Sequence, residues 1–178
     1  TQLPHDPGNV HSVPYTWGTT GICYRTDLVS ETPTSWEIFR SPPAELEGKM
    51  TMLGTDRWLL QPGLLSNGYS VNTTDPAEID KAVAWTEEAK GHLLGFDDTT
   101  FYSKLVSGEA LAVHAWDGWC EYGRLDEPNI DFVIPDDVKE LAPAALRHRL
   151  VLTPDAEVEG VTTDARVAAA IAAVPAPK

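Results

Sequence analysis

Apolar and polar positions along the chain follow two periods in turn. Ser12 to Tyr24 mixes small residues with aromatic and β-branched ones in rough alternation, which predicts extended chain entering a strand. Pro14 and Gly18 argue against an ordinary helix there. Thr34-Ser35 ahead of Trp36-Glu37-Ile38-Phe39 predicts a short capped helix. Lys49 to Leu53 reads as a short strand, Leu111 to Trp116 as a buried one, and Ile130 to Ile134 as another, ended by Pro135. Asp75-Pro76, with Glu78 in the first turn, predicts a helix start, and Ile79, Ala82, Val83 and Thr86 form one face of that helix up to Gly91. Asp98 to Val106 predicts a further helix. Arg57 to Asn67 has helical periodicity, yet Pro62-Gly63 in its middle predicts a break or a kink. Strands alternating with helices imply an α/β domain with a mostly parallel sheet. After Asp136 the pattern predicts helices only, the last capped by Thr162-Thr163-Asp164 and ending near Val174-Pro175.

Composition divides the chain at the same place. All six Trp, five Tyr and four Phe of the 178 residues lie at or before Pro135. From Asp136 onward there is no aromatic residue, and 11 of 43 positions are Ala. This break predicts two pieces of different origin, 1–135 and 136–178. The net charge of −14 disfavours partners gripped through phosphates, so nucleic acid and anionic lipid are not expected. It suits a soluble protein that meets cations or neutral solutes. No apolar run approaches a membrane span, and membrane insertion is not expected. Thr1-Gln2-Leu3-Pro4 has neither an initiator Met nor a signal-peptide pattern, so the chain reads as a processed product or a fragment. Cys23 and Cys120 stand 97 positions apart and form no Cys-x-x-Cys pair. Lone cysteines are ordinarily buried small hydrophobes; one disulfide is the alternative in an oxidising compartment.

No phosphate-binding Gly-rich loop, G-x-S-x-G elbow, H-E-x-x-H or His-x-His occurs, so no catalytic residue, metal ligand or cofactor is assigned. His114, inside an apolar strand, reads as a core or pocket-edge histidine. The segment that carries chemistry is His114-Ala115-Trp116-Asp117-Gly118-Trp119: a strand ends, Gly118 permits a turn, and two indoles flank a carboxylate. An aromatic face with an acid beside it recognises a small cation. The competing reading makes both Trp core filler and Asp117 a helix cap. Gly54-Thr55-Asp56-Arg57-Trp58 is a second candidate, a strand-to-helix turn with an acid and an indole, where ordinary capping competes.

Several stretches in order resemble the periplasmic spermidine/putrescine-binding proteins of ABC importers. They are Val13 to Ile22, Thr34-Ser35-Trp36, Asn67 to Pro76, Ser107-Gly108-Glu109 with Trp116-Asp117-Gly118, and Asn129 to Pro135. The resemblance covers about residues 5 to 135 and implies one lobe of the type II periplasmic-binding-protein fold. That fold has two α/β lobes joined by crossing strands, with the ligand in the cleft. Here the second lobe and the crossing segments match. The resemblance also implies a periplasmic protein without enzymatic activity, a small cationic solute such as a polyamine as ligand, and an ABC permease as partner. Trp116 matches the aromatic residue that stacks on the ligand. Family members that take polyamines carry two acids three residues apart at the turn matching Gly54 to Trp58. Thr55 and Trp58 stand at those places, with Asp56 one step out of register, which implies a solute with fewer positive charges. The expected contacts are therefore Trp116 (stacking), Asp117 and Asp56 (charge), and Trp58, Thr55 and Tyr15 (cleft wall). A single lobe offers half a cleft, so weak affinity is expected.

The tail is similar to the C-terminal lid end of MoxR-type AAA+ ATPases, through Ile134 to Pro143, Leu146 to Leu150, Glu157 to Val161 and Ile171 to Pro175. That family's ATP-binding parts lie upstream of the matching stretch, so no ATPase activity is implied. Two other readings follow: a non-catalytic regulatory or assembly piece of a MoxR-type system, or a chimeric fragment without independent function.

Overall fold

The computed structural model describes residues 10, 11 and 18–136 and the isolated positions 162 and 165. The extended entry predicted over 12–17 and nearly all of the helical tail lie outside the described residues. Thr162 Oγ1 accepts a hydrogen bond from the Ala165 N–H at 3.2 Å, as expected of a cap at that point.

Among the described residues, five strands and four α-helices run from β1 (Thr20–Arg25) to β5 (Ile130–Val133). Between them lie a 3-10 turn (Trp36–Phe39), β2 (Met50–Met52), α1 (Asp56–Ser66), α2 (Pro76–Lys90) and β3 (Gly95–Phe96). Then come α3 (Phe101–Ser107), β4 (Ala112–Trp116) and α4 (Asp117–Arg124). The sheet order is β3-β2-β4-β1-β5. β2 pairs parallel with both β3 and β4, while β1 lies antiparallel between β4 and β5. Four of the five strands thus run one way, as helical connections between successive strands require, and β1 alone opposes them. This is the mostly parallel sheet that the sequence predicts, with one antiparallel member.

Alternation along the strands divides the core into two layers. Ile22, Tyr24, Met50, Met52 and Ala112 face Trp36, Phe39, Leu65 and Trp85 from the 3-10 turn, α1 and α2. Cys23, Val113 and Ala115 face Phe101, Leu105 and Cys120 from α3 and α4. Both faces of the sheet are covered, which is why β4 reads as a continuous apolar run rather than an alternating one.

Local signals place the helix ends. Asp75 accepts a hydrogen bond from the Ala77 N–H at 2.9 Å with Pro76 at the first helical position, and Ser35 caps the 3-10 turn by accepting from the Glu37 N–H at 3.2 Å. Three expectations are corrected. α1 runs through Pro62-Gly63 without interruption, because both residues are buried where α1 packs on α2. A Cβ on Gly63 would lie 2.8 Å from the Ala82 carbonyl oxygen, so this glycine permits the close approach of the two helices. The buried face of α2 is Ala82, Trp85, Thr86 and Ala89, one step round from the predicted stripe, leaving Val83 39% exposed. Cys23 and Cys120 form a disulfide from β1 to α4, with Cα atoms 5.9 Å apart, a normal separation for the bond.

Candidate functional site

β4 ends in Trp116 and runs directly into α4, whose first residue is Asp117. β2 ends at Met52, and after three intervening residues α1 begins, carrying Trp58 on its first turn. Because β2 and β4 are parallel neighbours, the two indoles emerge at the same end of the sheet, beyond the strands' C-termini. That is where open α/β sheets form ligand crevices. The rings meet edge to face, with centroids 6.1 Å apart and 90° between planes. Gly18 and Thr19, just ahead of antiparallel β1, arrive at this end too.

Trp58, Trp116, Asp117 and Gly18 line an open concavity of about 790 Å³, with Tyr102 of α3 and Trp119 and Tyr122 of α4 completing its wall. A smaller hollow of about 280 Å³ adjoins it around Trp58, Trp116, Thr20, Gln61 and Ile134. The Thr20 hydroxyl donates to Gln61 Oε1 at 2.8 Å and ties β1 to α1 across the hollow's floor.

Asp117 is held firmly. Its Oδ2 accepts from the Thr19 N–H and the Thr19 hydroxyl, both at 3.1 Å, and its Oδ1 accepts from the Gly118 N–H at 2.7 Å. The Asp117 N–H in turn donates to the Thr19 carbonyl at 3.0 Å. A Cβ on Gly18 would fall 2.8 Å from Asp117 Oδ1, so glycine keeps that oxygen uncovered. Gly118, expected to make a turn, is an ordinary helical residue with open space around it.

The turn leading into α1 is fixed from the segment after β3. Asp98 Oδ1 accepts from the Gly54 N–H at 3.0 Å and the Thr55 N–H at 3.4 Å. Its neighbour Asp97 anchors the start of α3 by accepting from the Thr99 and Thr100 N–H groups, the Thr100 hydroxyl and the Lys104 ammonium. Against a desolvation cost that raises it, these donors hold the Asp97 carboxyl well below the usual carboxylate range. α3 thereby presents Tyr102 to the concavity.

Of the residues expected at the site, Trp58, Trp116 and Asp117 come together. Thr55 and Asp56 are exposed at the start of α1, and neither lines the concavity. Tyr15 lies outside the described residues. Tyr102 and Tyr122 are not legible as site residues in the sequence, where Trp119 only flanks Asp117. The available signal was Trp119 and Tyr122 at i, i+3 spacing, which places them on one helix face. His114 is fully buried in the core rather than at the pocket, 5.0 Å centroid to centroid from Trp36. Neither ring nitrogen has a hydrogen-bond partner among the described residues, and burial pushes its pKa down to about 3. Among the described residues no cluster of His, Cys, Asp and Glu could hold a metal ion, and no helix is long and apolar enough to cross a membrane.

Comparison with known proteins agrees with this architecture. Residues 5–170 match the family described as bacterial extracellular solute-binding protein. The spermidine/putrescine-binding periplasmic protein of Escherichia coli is 32% identical over 135 residues, 75% of this chain and 38% of that protein. The crystal structure of the TpPotD lipoprotein of Treponema pallidum superposes with a TM-score of 0.67 at 29% identity, over 75% of this chain and 42% of that one. A stretch of 47 residues is 47% identical to the uncharacterized protein YeaC of Bacillus subtilis, covering 26% of this chain and 15% of that protein. The chain spans about two fifths of the length of the first curated relatives it matches. Its mixed sheet with helices on both faces corresponds to one lobe of such binding proteins.

Proposed function

The chain belongs to the bacterial extracellular solute-binding protein family, and from that premise we propose that it binds a polyamine or a related small cationic solute as part of the substrate-binding component of an ABC importer. One observation carries the reading: two perpendicular indoles and a fixed carboxylate share a concavity at the C-terminal ends of parallel strands. Aromatic faces attract cations, and the carboxylate supplies the opposite charge. The net charge of −14 favours cations at long range. Relatives named as spermidine/putrescine-binding or putrescine/agmatine-binding support the same ligand class.

In this reading Trp116 stacks on the solute, Trp58 closes one side, and Asp117 faces the charge. Asp56 adds charge nearby, and Thr55 and Tyr15 are assigned to the cleft wall by the family resemblance alone. The Cys23–Cys120 disulfide suits an oxidising compartment, which supports work in the periplasm beside an ABC permease. Calorimetric titration with putrescine, spermidine, choline, glutamate and maltose tests the proposal. Saturable binding of a cation, lost in Trp116→Ala, is expected. Binding of glutamate or maltose alone, or of nothing, contradicts it.

The split at Pro135 into a solute-binding lobe and a separate tail is part of the same proposal. A second reading gives 136–178 a regulatory or assembly role like the lid end of MoxR-type ATPases, favoured by its Ala-rich composition without aromatic residues. A partner retained by the 178-residue chain but lost from a chain ending at Pro135 would support it.

A further inference from the structure

The concavity contains more aromatic surface than stacking on Trp116 requires. Tyr102 stacks on Trp119 with centroids 5.1 Å apart and 22° between planes, and Tyr122 meets both rings nearly perpendicularly, at 78° and 82°. Trp119 is 44% exposed and Tyr122 51%, so these faces are open to solvent at the pocket wall. With Trp58 and Trp116, five rings line the concavity. Across it and the adjoining hollow, Asp117 is the sole charged side chain among the described residues.

Asp117 has little capacity left. A carboxylate offers about four acceptor positions, and donors from Thr19 and Gly118 occupy three of them. A primary ammonium brings three N–H donors, and Asp117 has about one acceptor position left for them on this wall. The second ammonium of a diamine would find no acid at all on this wall. A quaternary ammonium has no N–H to satisfy. Its charge is spread over methyl groups, and aromatic faces bind it by cation–π attraction.

The geometry points to an N-methylated ammonium compound carrying a single positive charge as the preferred ligand, held by Trp58, Trp116 and the Tyr102–Trp119–Tyr122 wall around one carboxylate. This rests on the concavity being the solute site. Calorimetry on the 178-residue chain at fixed ionic strength, with choline and tetramethylammonium against putrescine, reads the ranking. Choline is expected to bind at least about tenfold tighter than putrescine, and Trp119→Ala or Tyr122→Ala to weaken it about five- to tenfold each. Tyr122→Phe, which keeps the ring, should stay within about twofold of the parent. Both alanine sites are exposed, and an unchanged thermal melt confirms that each variant is folded. Putrescine binding as tightly as choline overturns the ligand class and leaves the solute-binding function standing. Choline binding that neither alanine variant weakens also overturns it. Saturation by no cation removes both.

Discussion

Aromatic residues serve two different purposes on either side of this sheet. On the face covered by the 3-10 turn, α1 and α2, Trp36 and Phe39 are fully buried, and Trp85 buries its ring while its Nε1–H donates to Glu37 at 3.0 Å. At the other extreme, Trp119 and Tyr122 leave about half their surface in water, although both sit on a helix with a buried cysteine anchor. The first set is enclosed by apolar neighbours and contributes through burial and packing. The second set packs α4 on Tyr102 of α3 and still leaves its outer faces in water. Large exposed aromatic patches on small domains mark surfaces that meet something else. The first set is enclosed in the core, and under the proposed function the second set, exposed at the concavity, serves recognition.

That contrast can be broken in order of effect. Trp36→Ala is expected to cost about 3–5 kcal/mol in urea denaturation, since it empties a closed site, whereas Trp119→Ala should cost less than about 1 kcal/mol. Equal costs would dissolve the distinction. Reduction of Cys23–Cys120, which closes a loop of 97 positions between β1 and α4, should remove about 2–4 kcal/mol; denaturation with and without reductant reads it. Gly63→Ala presses a methyl on the Ala82 carbonyl and is expected to cost about 1–3 kcal/mol.

His114 gives a pH test of the closed face. Its folded pKa, about 3, lies below its ordinary value of 6.5, so below pH 6.5 the unfolded chain binds more protons than the folded one. Its contribution to stability is therefore complete above pH 6.5 and is lost progressively as pH falls toward 3, by about 2 kcal/mol at pH 5. Denaturation of parent and His114→Leu at pH 7.5 and pH 5 should show that loss in the parent and a smaller one in the variant. Identical pH profiles would mean that His114 is not enclosed.

Much of this arrangement is legible in the residues. Asp75-Pro76 and Ser35 announce their helices through capping chemistry that is local by nature, and all five strands except β3 are marked by their apolar runs. β3 is only Gly95–Phe96, too short to carry a period. Pro62 was misleading because its effect is decided by α2: Gly63 lets the helices approach, and packing overrides the local break. The disulfide depends on α4 folding over β1 and has no sequence-local sign. Trp116 and Asp117 were legible because the strand end and the helix start adjoin in sequence. Tyr102 joins them only because Asp97 fixes α3, a contact between segments that periodicity does not report.

The most direct test of the account is an NMR titration of the ¹⁵N-labelled 178-residue chain with choline and putrescine, following the indole N–H signals. The account predicts saturable shifts of Trp58, Trp116 and Trp119, while Trp36 and Trp85 stay fixed. Indole signals that none of these cations moves, or movement of the enclosed pair with the pocket indoles unchanged, would contradict it.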